Sequence, residues 1–546
     1  MNEFLTTHRL YLTPLSPIHI GCGEDFEPTN YIIENGVLYG FDPSRAALDD
    51  EQRKELLAAV NKRGALLHVQ NFFRKHAKRF TPHAQALIPV SRGVATQYQN
   101  GIGRVRNVES DGNQVFNKFT IERASYTGAQ AWPYLPGSSV KGCLRTALLD
   151  ACNGGKSVRK EERKDLEKNL LGGDFATSPL RLLKIADFMP CREPQREVLY
   201  AVNRKKDRVL KDGREVQPKG IAARKESILH GQYRAFTAEA VLTLLGEQNL
   251  AGKTPKQRID LKEIVRATNQ YHLARWQSEL KVLKARGFVE QGWCAAVEKL
   301  LAGELKARMD AGQVMLVRLG RYGGAESKTL TGAADIKIMM PGKGKNSFEY
   351  MSQTKTVWLA AETEGAQSNM LPFGWAIVEI DPKDDLPQLR QWCEEQAKGR
   401  PDMAQLRASF EAEKAEIARK AKEAADAAAA RAAQAAAEQA AAEERARALQ
   451  NMSEHQREIE TLRDKCEAVQ KQGIKEKANP GAGGLYQNAI QLSSAALDEA
   501  NGWTPEEQTA LAGMLEETLP QVIEAWEKNK KDYRKKLRLS ALRGQA

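Results

Sequence analysis

Directly after the turn-forming pair Pro136-Gly137, the sequence sets two hydroxyls, Ser138 and Ser139, beside two cations four residues apart, Lys141 and Arg145, with Gly142 between them. Those residue types together suit an anion. Serines satisfy the free N–H groups of a helix start, and the helix dipole already presents positive charge there. Two cations on one flank then leave that charge without a carboxylate to relieve it. Phosphate is the oxyanion such helix ends bind, with Gly142 allowing close approach. An ordinary capped helix with solvated cations accounts for the same residues, and the segment alone leaves both readings open.

Two more stretches have related chemistry. Residues 318–329 string Arg318, Gly320, Arg321, Gly323, Gly324 and Lys328 into a second glycine-rich basic loop, and residues 16–24 place His19 beside Gly21 and Gly23. Glycines of this kind admit a ligand backbone closely and accept positive φ. No His, Tyr or Lys partner for His19 stands at a recognisable spacing, so the favoured reading is a histidine that packs its loop. Gly252-Lys253-Thr254 and Gly155-Lys156-Ser157 end like a nucleotide-binding P-loop. The first glycine that motif needs is Glu247 in one case and Asp150 in the other, so no NTPase is expected.

The elements that must hold these loops follow from hydrophobic period. Val140, Cys143, Leu144, Ala147 and Leu148 fall at i, i+3, i+4, i+7 and i+8, the buried face of a helix carrying the serines at its start. Residues 314–319 form a strand that delivers the second basic loop. Residues 8–15 read as a strand, 31–33 and 37–41 as a hairpin turned by Asn35-Gly36, and 46–60 as a helix. Residues 180–187 and 233–245 read as β or mixed structure and 261–283 as a helix. Between 90 and 129 the chain reads as an irregular inserted hairpin. There Arg92, Arg104, Arg106, Lys118 and Arg123 alternate with Tyr98, Phe116, Phe119 and Tyr126, as in a surface that grips phosphates and stacks bases, though exposed loops carry such residues without a ligand equally well. Residues 192–225 read as a basic loop.

Composition bounds the class. The 546 residues allow two or three domains, and 42% hydrophobic content allows real cores. Lys and Arg total 82 against 70 Asp and Glu, a net charge of +12 that favours polyanionic partners. Seven cysteines without a C-x-x-C spacing argue against a disulfide framework and a zinc site, and no metal or cofactor is implied. Without a signal-like segment or a long apolar run, the expectation is a cytoplasmic protein with no membrane partner.

In order along the chain, the blocks Ser16-Pro17-Ile18-His19-Ile20-Gly21-Cys22-Gly23, Leu135-Pro136-Gly137-Ser138-Ser139-Val140-Lys141-Gly142-Cys143-Leu144-Arg145, and 318–329 resemble the signature blocks of the CRISPR-associated RAMP superfamily. Pro28-Thr29-Asn30-Tyr31 and Leu371-Pro372-Phe373-Gly374-Trp375 narrow the resemblance to the terminal subunit of the type III-A (Csm) effector, over residues 5–382 or so. The resemblance implies an α+β fold of two ferredoxin-like (RRM-like) modules with insertions, at 1–225 and 226–383. It further implies that the glycine loops line a groove for CRISPR RNA and that the subunit caps the guide 3′ end and supports assembly and guide maturation. Its partners would be CRISPR RNA and other type III RAMP backbone subunits, with target RNA and host ribonucleases beyond them. The RNA-binding residues implied are His19, Gly21, Gly23, Ser138, Ser139, Lys141, Arg145, Arg318, Gly320, Arg321, Gly323, Gly324 and Lys328. The alternative within the superfamily is an endoribonuclease that processes precursor CRISPR RNA, with His19 as its base.

The chain departs from that pattern after residue 382. Residues 409–470 are Ala, Glu, Lys, Arg and Gln without an internal Gly or Pro, an arm of at most about 90 Å if continuous, within a domain drawn at 384–478. Its centre, 424–442, has too few large apolar residues for a coiled-coil seam and reads as a solvated spacer. A glycine-rich break at 479–484 then opens a basic helical segment, 479–546. Thr504, Pro505 and Glu507 mark a helix start there, and residues 528–543 are densely basic, which suits a membrane-surface or RNA-contacting helix and a solvated face equally; the reading taken is packing on the complex or guide.

Overall fold

The computed structural model describes residues 5–545 apart from 109–113, 160, 173–176, 213, 217, 219, 244–259, 340–347 and 479–482. It is α+β, and it divides into two compact units, Met1–Ile417 and Ala418–Ala546.

The first unit is built on two sheets. One runs in the order Leu183–Ile185, Phe236–Thr243, Leu5–Pro14, Trp375–Ile380, Val314–Arg318, every pairing antiparallel. The strand Leu5–Pro14 is central and its second half is buried: Leu10 and Leu12 lie in one core, Thr13 is buried on the opposite face, and Leu15, just beyond its end, lies in the other core. The other sheet runs Gly21–Phe26, Ile121–Ala124, Ala223–Ile228, Arg196–Lys205, Thr356–Ala361, Leu371–Pro372. Only Ile121–Ala124 and Ala223–Ile228 pair in parallel among these neighbours. Both sheets take strands from either side of residue 225, and the 225/226 boundary drawn from the sequence falls inside the strand Ala223–Ile228.

Two helices cover one face of the first sheet. Gly137–Asn153 buries Val140, Cys143 and Leu144, and Leu261–Ala285, capped by the Asp260 side chain on Lys262 N–H, adds Ile264 and Val265; all pack with Leu12, Phe236 and Val317. On the larger core, Trp276 meets Trp375 edge-on at 5.2 Å and lies beside Trp293. Leu386, Leu389, Trp392 and Cys393 belong to this same core, and Met403 and Phe410 pack on Val37 and Leu87. A boundary at 383/384 therefore cuts through buried contacts of the first unit.

Several elements differ from the sequence expectation for visible reasons. Residues 92–101 are a helix, Arg92–Gly101, and the hairpin that follows pairs Val105–Val108 with Gln114–Phe116. Tyr98 and Phe119 are buried core rings, not a stacking surface. The 192–225 stretch holds the long strand Arg196–Lys205: five consecutive apolar residues, Val198 to Val202, outweigh the flanking basic residues. The helix expected at 46–60 starts at Asp50, where Asp49 and Gln52 form a capping box.

In the second unit, Glu454–Lys471, Leu485–Ala496, Pro505–Val522, Trp526–Lys536 and Leu539–Leu542 enclose Leu462, Tyr486, Leu511, Leu515 and Leu537. Thr504 caps Pro505–Val522 with Glu507 returning the bond, as the sequence indicated. The long helix, Met403–Gln450, is not continuous to 470, because Ser453 and Gln456 form a capping box that starts a new helix. Residues 424–442 are exposed on every side. Most of the glycine-rich break lies outside the described residues. In the basic tail Trp526 is buried, and Arg534 and Arg543 both pair with Glu516, so part of its charge is taken up internally.

Candidate nucleic-acid interface

The first and third glycine blocks, far apart in sequence, are stitched to each other and to the 371–375 segment by backbone hydrogen bonds. Gly374 N–H donates to Pro17 O at 2.8 Å, Leu319 N–H to Gly374 O at 2.8 Å, and Arg321 N–H to His19 O at 2.9 Å. The contact between the first and third blocks needs a glycine. Gly320 has φ +78°, and a Cβ there would stand 2.3 Å from the His19 carbonyl oxygen.

Above this seam lies a cleft of about 810 Å³, lined from the first block by Gly21 and Gly23, from the second by Ser138, Ser139, Gly142 and Arg145, and from the third by Arg318, Gly320, Arg321 and Lys328. Arg123 joins them from the neighbouring strand. Five cations thus face three carboxylates, Glu24, Asp25 and Glu122. Gly323 and Gly324 line an adjoining cavity of about 660 Å³ that shares Arg318, Ser327 and Lys328 with the cleft.

The cations differ in what already holds them. Arg145 pairs with Glu167, and Arg321, 60% exposed, pairs with Glu122. Arg123 lies 3.9 Å over the Tyr126 ring and donates to Glu24 at 3.1 Å. Arg318 is buried, donating to Phe373 O at 3.1 Å and to Glu279 at 2.7 Å. Lys328 has neither an ion pair nor a side-chain hydrogen bond among the described residues. Partial burial, with the charges of Arg318 and Arg321 facing it, pushes its ammonium below the ordinary lysine value. It is a cation held among cations, the condition an incoming anion relieves.

The helix start differs in detail from the expectation. Neither serine caps it: Asp187 accepts from Gly137 N–H at 2.8 Å, which leaves both serine hydroxyls to the cleft. The close-approach glycine is Gly137, whose Cβ would stand 2.4 Å from the Ile185 and Ala186 carbonyl oxygens. Gly142 has open space where its Cβ would be, on the cleft side. Lys141 is not part of the cleft. It points away and donates to the Leu183 carbonyl at 2.8 Å, and desolvation lowers its pKa.

His19 lies beneath the floor, fully buried. Its Nδ1 donates to Glu226 O at 2.7 Å, and Nε2 stands 3.6 Å from Glu122 without a hydrogen-bond partner. Glu122 also accepts from Lys225, which is 1% exposed. The His19 imidazole, the Lys225 ammonium and the Arg321 guanidinium hold the Glu122 carboxyl down at about 2, against partial burial that works the other way. Beside them, Glu226 accepts from Arg196 at 2.6 Å and from Ala124 N–H at 3.0 Å, both side chains buried. Sequence reasoning passed over Glu122, Lys225 and Glu226 because their pairing is made across strands about a hundred residues apart. No local spacing signals it.

The RAMP superfamily matches residues 11–271, the stretch that supplies the first two blocks. More particularly, a curated relative, the CRISPR system Cms protein Csm5 of Methanocaldococcus jannaschii, is 25% identical over 187 residues, which are 32% of this chain and 40% of that protein. The match thus spans well under half of the relative's length. Among solved structures, a chain of a Csm–crRNA–target RNA ternary complex of a type III-A CRISPR-Cas system is similar at TM-score 0.42 and 16% identity, over 68% of this chain and 100% of that one. The T. onnurineus Csm5 crystal structure is similar at TM-score 0.39 and 14% identity, over 67% and 99%. All seven cysteines are free thiols. No helix among the described residues is long and apolar enough to cross a membrane.

Proposed function

We propose that this chain is a guide-RNA-binding structural subunit of a type III-A CRISPR effector, capping the guide 3′ end and supporting assembly and guide maturation. One observation carries the reading. Basic, glycine-bearing segments from three distant parts of the chain converge on a single cleft in which Lys328 lacks a counter-charge. The superfamily match and the Csm5 relative supply the biological setting. In this reading the two sheets are ferredoxin-like modules that have exchanged strands across residue 225. CRISPR RNA, the other backbone subunits and target RNA are its partners in the cytoplasm, with host ribonucleases acting on the guide end.

A cleft of this composition suits backbone contacts, which position a strand without reporting its sequence, as guides with differing spacers require. His19 does not offer a base to the cleft, since its imidazole is fully buried, the unpartnered Nε2 included. Titrating the full chain with two unrelated single-stranded RNAs at several salt concentrations tests the reading. Similar affinities and a steep salt dependence are expected. Absence of binding would overturn it, and metal-free cleavage of a precursor repeat RNA that is lost in His19→Ala would replace it with the endoribonuclease reading.

A further inference from the structure

The cavity of about 660 Å³ beside the cleft has a different character from the cleft itself. It shares Arg318 and Lys328 with the cleft, but part of its lining is aromatic: Tyr322 and Trp358 lie with ring centroids 5.2 Å apart, and both are partly buried. Behind them Phe373 packs on Tyr322 at 5.2 Å, so the rings are backed by core and held in place. The opposite rim is polar and fixed. Glu326 accepts from Lys206 at 2.7 Å and from Thr354 N–H and hydroxyl at 2.6 and 2.7 Å. Although burial works against its charge, these bonds hold its carboxyl down at about 2.

The backbone at Tyr322 points the same way. Its φ is +68°, a left-handed conformation that is an outlier for a bulky aromatic residue. Such strain persists where surrounding structure imposes it, and it gathers at ligand sites. Here the ring of that residue lines the cavity.

We infer that this cavity is a nucleobase subsite: an RNA strand whose phosphates pass Lys328 turns one base into it, stacked on the Trp358 and Tyr322 rings. The inference rests on the RNA-binding reading of the cleft and adds to it a place where a base, not only a phosphate, is held. Stacking on aromatic faces tolerates any base, so the subsite fits a strand of variable sequence. The volume lies in the range of sites that take small ligands.

The test uses the full chain and a short single-stranded RNA in which one abasic residue is moved along the strand. Trp358→Ala is expected to weaken the intact RNA by about 5- to 150-fold, the range for one lost base stack, while the slope of affinity against salt stays that of the wild type. Trp358→Phe should keep most of the binding and guards against a folding defect. One abasic position should weaken the wild type by a similar factor and leave Trp358→Ala no weaker than before, and 4-thiouridine at that position should crosslink to Trp358 or Tyr322. If the Lys328-dependent salt slope is present but no abasic position couples to Trp358, the base subsite is wrong and the phosphate track stands. If the wild type shows no Lys328-dependent RNA binding, both fall together.

Discussion

Replacing Lys328 by methionine removes one charge, keeps an apolar stem of similar length and breaks no ion pair among the described residues. If the ammonium contacts one phosphate, the log–log dependence of affinity on salt should become shallower by roughly 0.7, the value per contact for a single strand. Between 50 and 200 mM salt, a fourfold change, that difference means the advantage of wild type over variant shrinks by about 2.6-fold. The stability of the free protein should move the other way. The folded-state pKa of Lys328 lies below its unfolded value, chiefly through burial and then through Arg318 and Arg321. Its protonated form is therefore disfavoured by folding at neutral pH, a penalty relieved only as pH rises through the folded-state pKa toward the unfolded one. Lys328→Met should melt no lower than wild type at pH 7, with a smaller gain in melting temperature on going to high pH. Fluorescence-anisotropy titrations at four salt concentrations and paired thermal melts provide both numbers. An unchanged salt slope, or a clear fall in melting temperature at pH 7, would show that the ammonium serves the fold and not an anion.

Lys141→Met should leave the salt slope unchanged, because that ammonium is spent on the Leu183 carbonyl, and should cost about 1.5 kcal/mol in chemical denaturation. Glu122→Gln leaves the buried Lys225 without its counter-charge and should cost about 3 kcal/mol, the low end for a broken buried pair because Glu122 is about a third exposed. With its pKa at about 2 in place of 4.5, the Glu122 carboxylate stabilises the fold above pH 4.5 and loses that contribution as pH falls through 2, so the variant's stability should fall less steeply across that window. Gly142→Ala should raise stability by about 0.8–1 kcal/mol, as a helical glycine replaced in open space, yet weaken RNA binding by narrowing the cleft. A chain ending at residue 417 should stay in solution and melt cooperatively, whereas one ending at 383 loses Leu386, Leu389 and Trp392 from the core and should aggregate on size-exclusion chromatography.

The parts of the site that depend on local chemistry were legible from residues alone. The Gly137–Asn153 helix, its apolar face and the strand Val314–Arg318 follow from period, and the three basic glycine blocks do meet. What period could not tell was which way a polar side chain turns. Lys141 and Arg145 share a flank in a helical projection, but a lysine stem long enough to reach Leu183 takes the carbonyl on offer. The serines looked like caps until Asp187, fifty residues downstream, proved to hold Gly137. The strand Arg196–Lys205 was hidden because basic residues at both ends mask an apolar centre. The sheets were the least legible part, since the sequence order of strands says little about a pairing in which Leu5–Pro14 sits between Phe236–Thr243 and Trp375–Ile380.

That pairing sets a timetable for synthesis. The strand Leu5–Pro14 leaves the ribosome first, but the second of its two neighbours ends at Ile380. At 5–20 residues per second the wait is about 20–70 s. Both edges of that strand are open until Phe236–Thr243 is made and one edge until Trp375–Ile380 is, and an open edge is a template for pairing with another nascent chain. The hairpin Tyr31–Glu34 with Val37–Phe41 is joined by Ala84–Pro89 far sooner and can close early. The sheet that sets the first and third glycine blocks side by side is completed last, so the cleft exists only once nearly the whole of the first unit has been made.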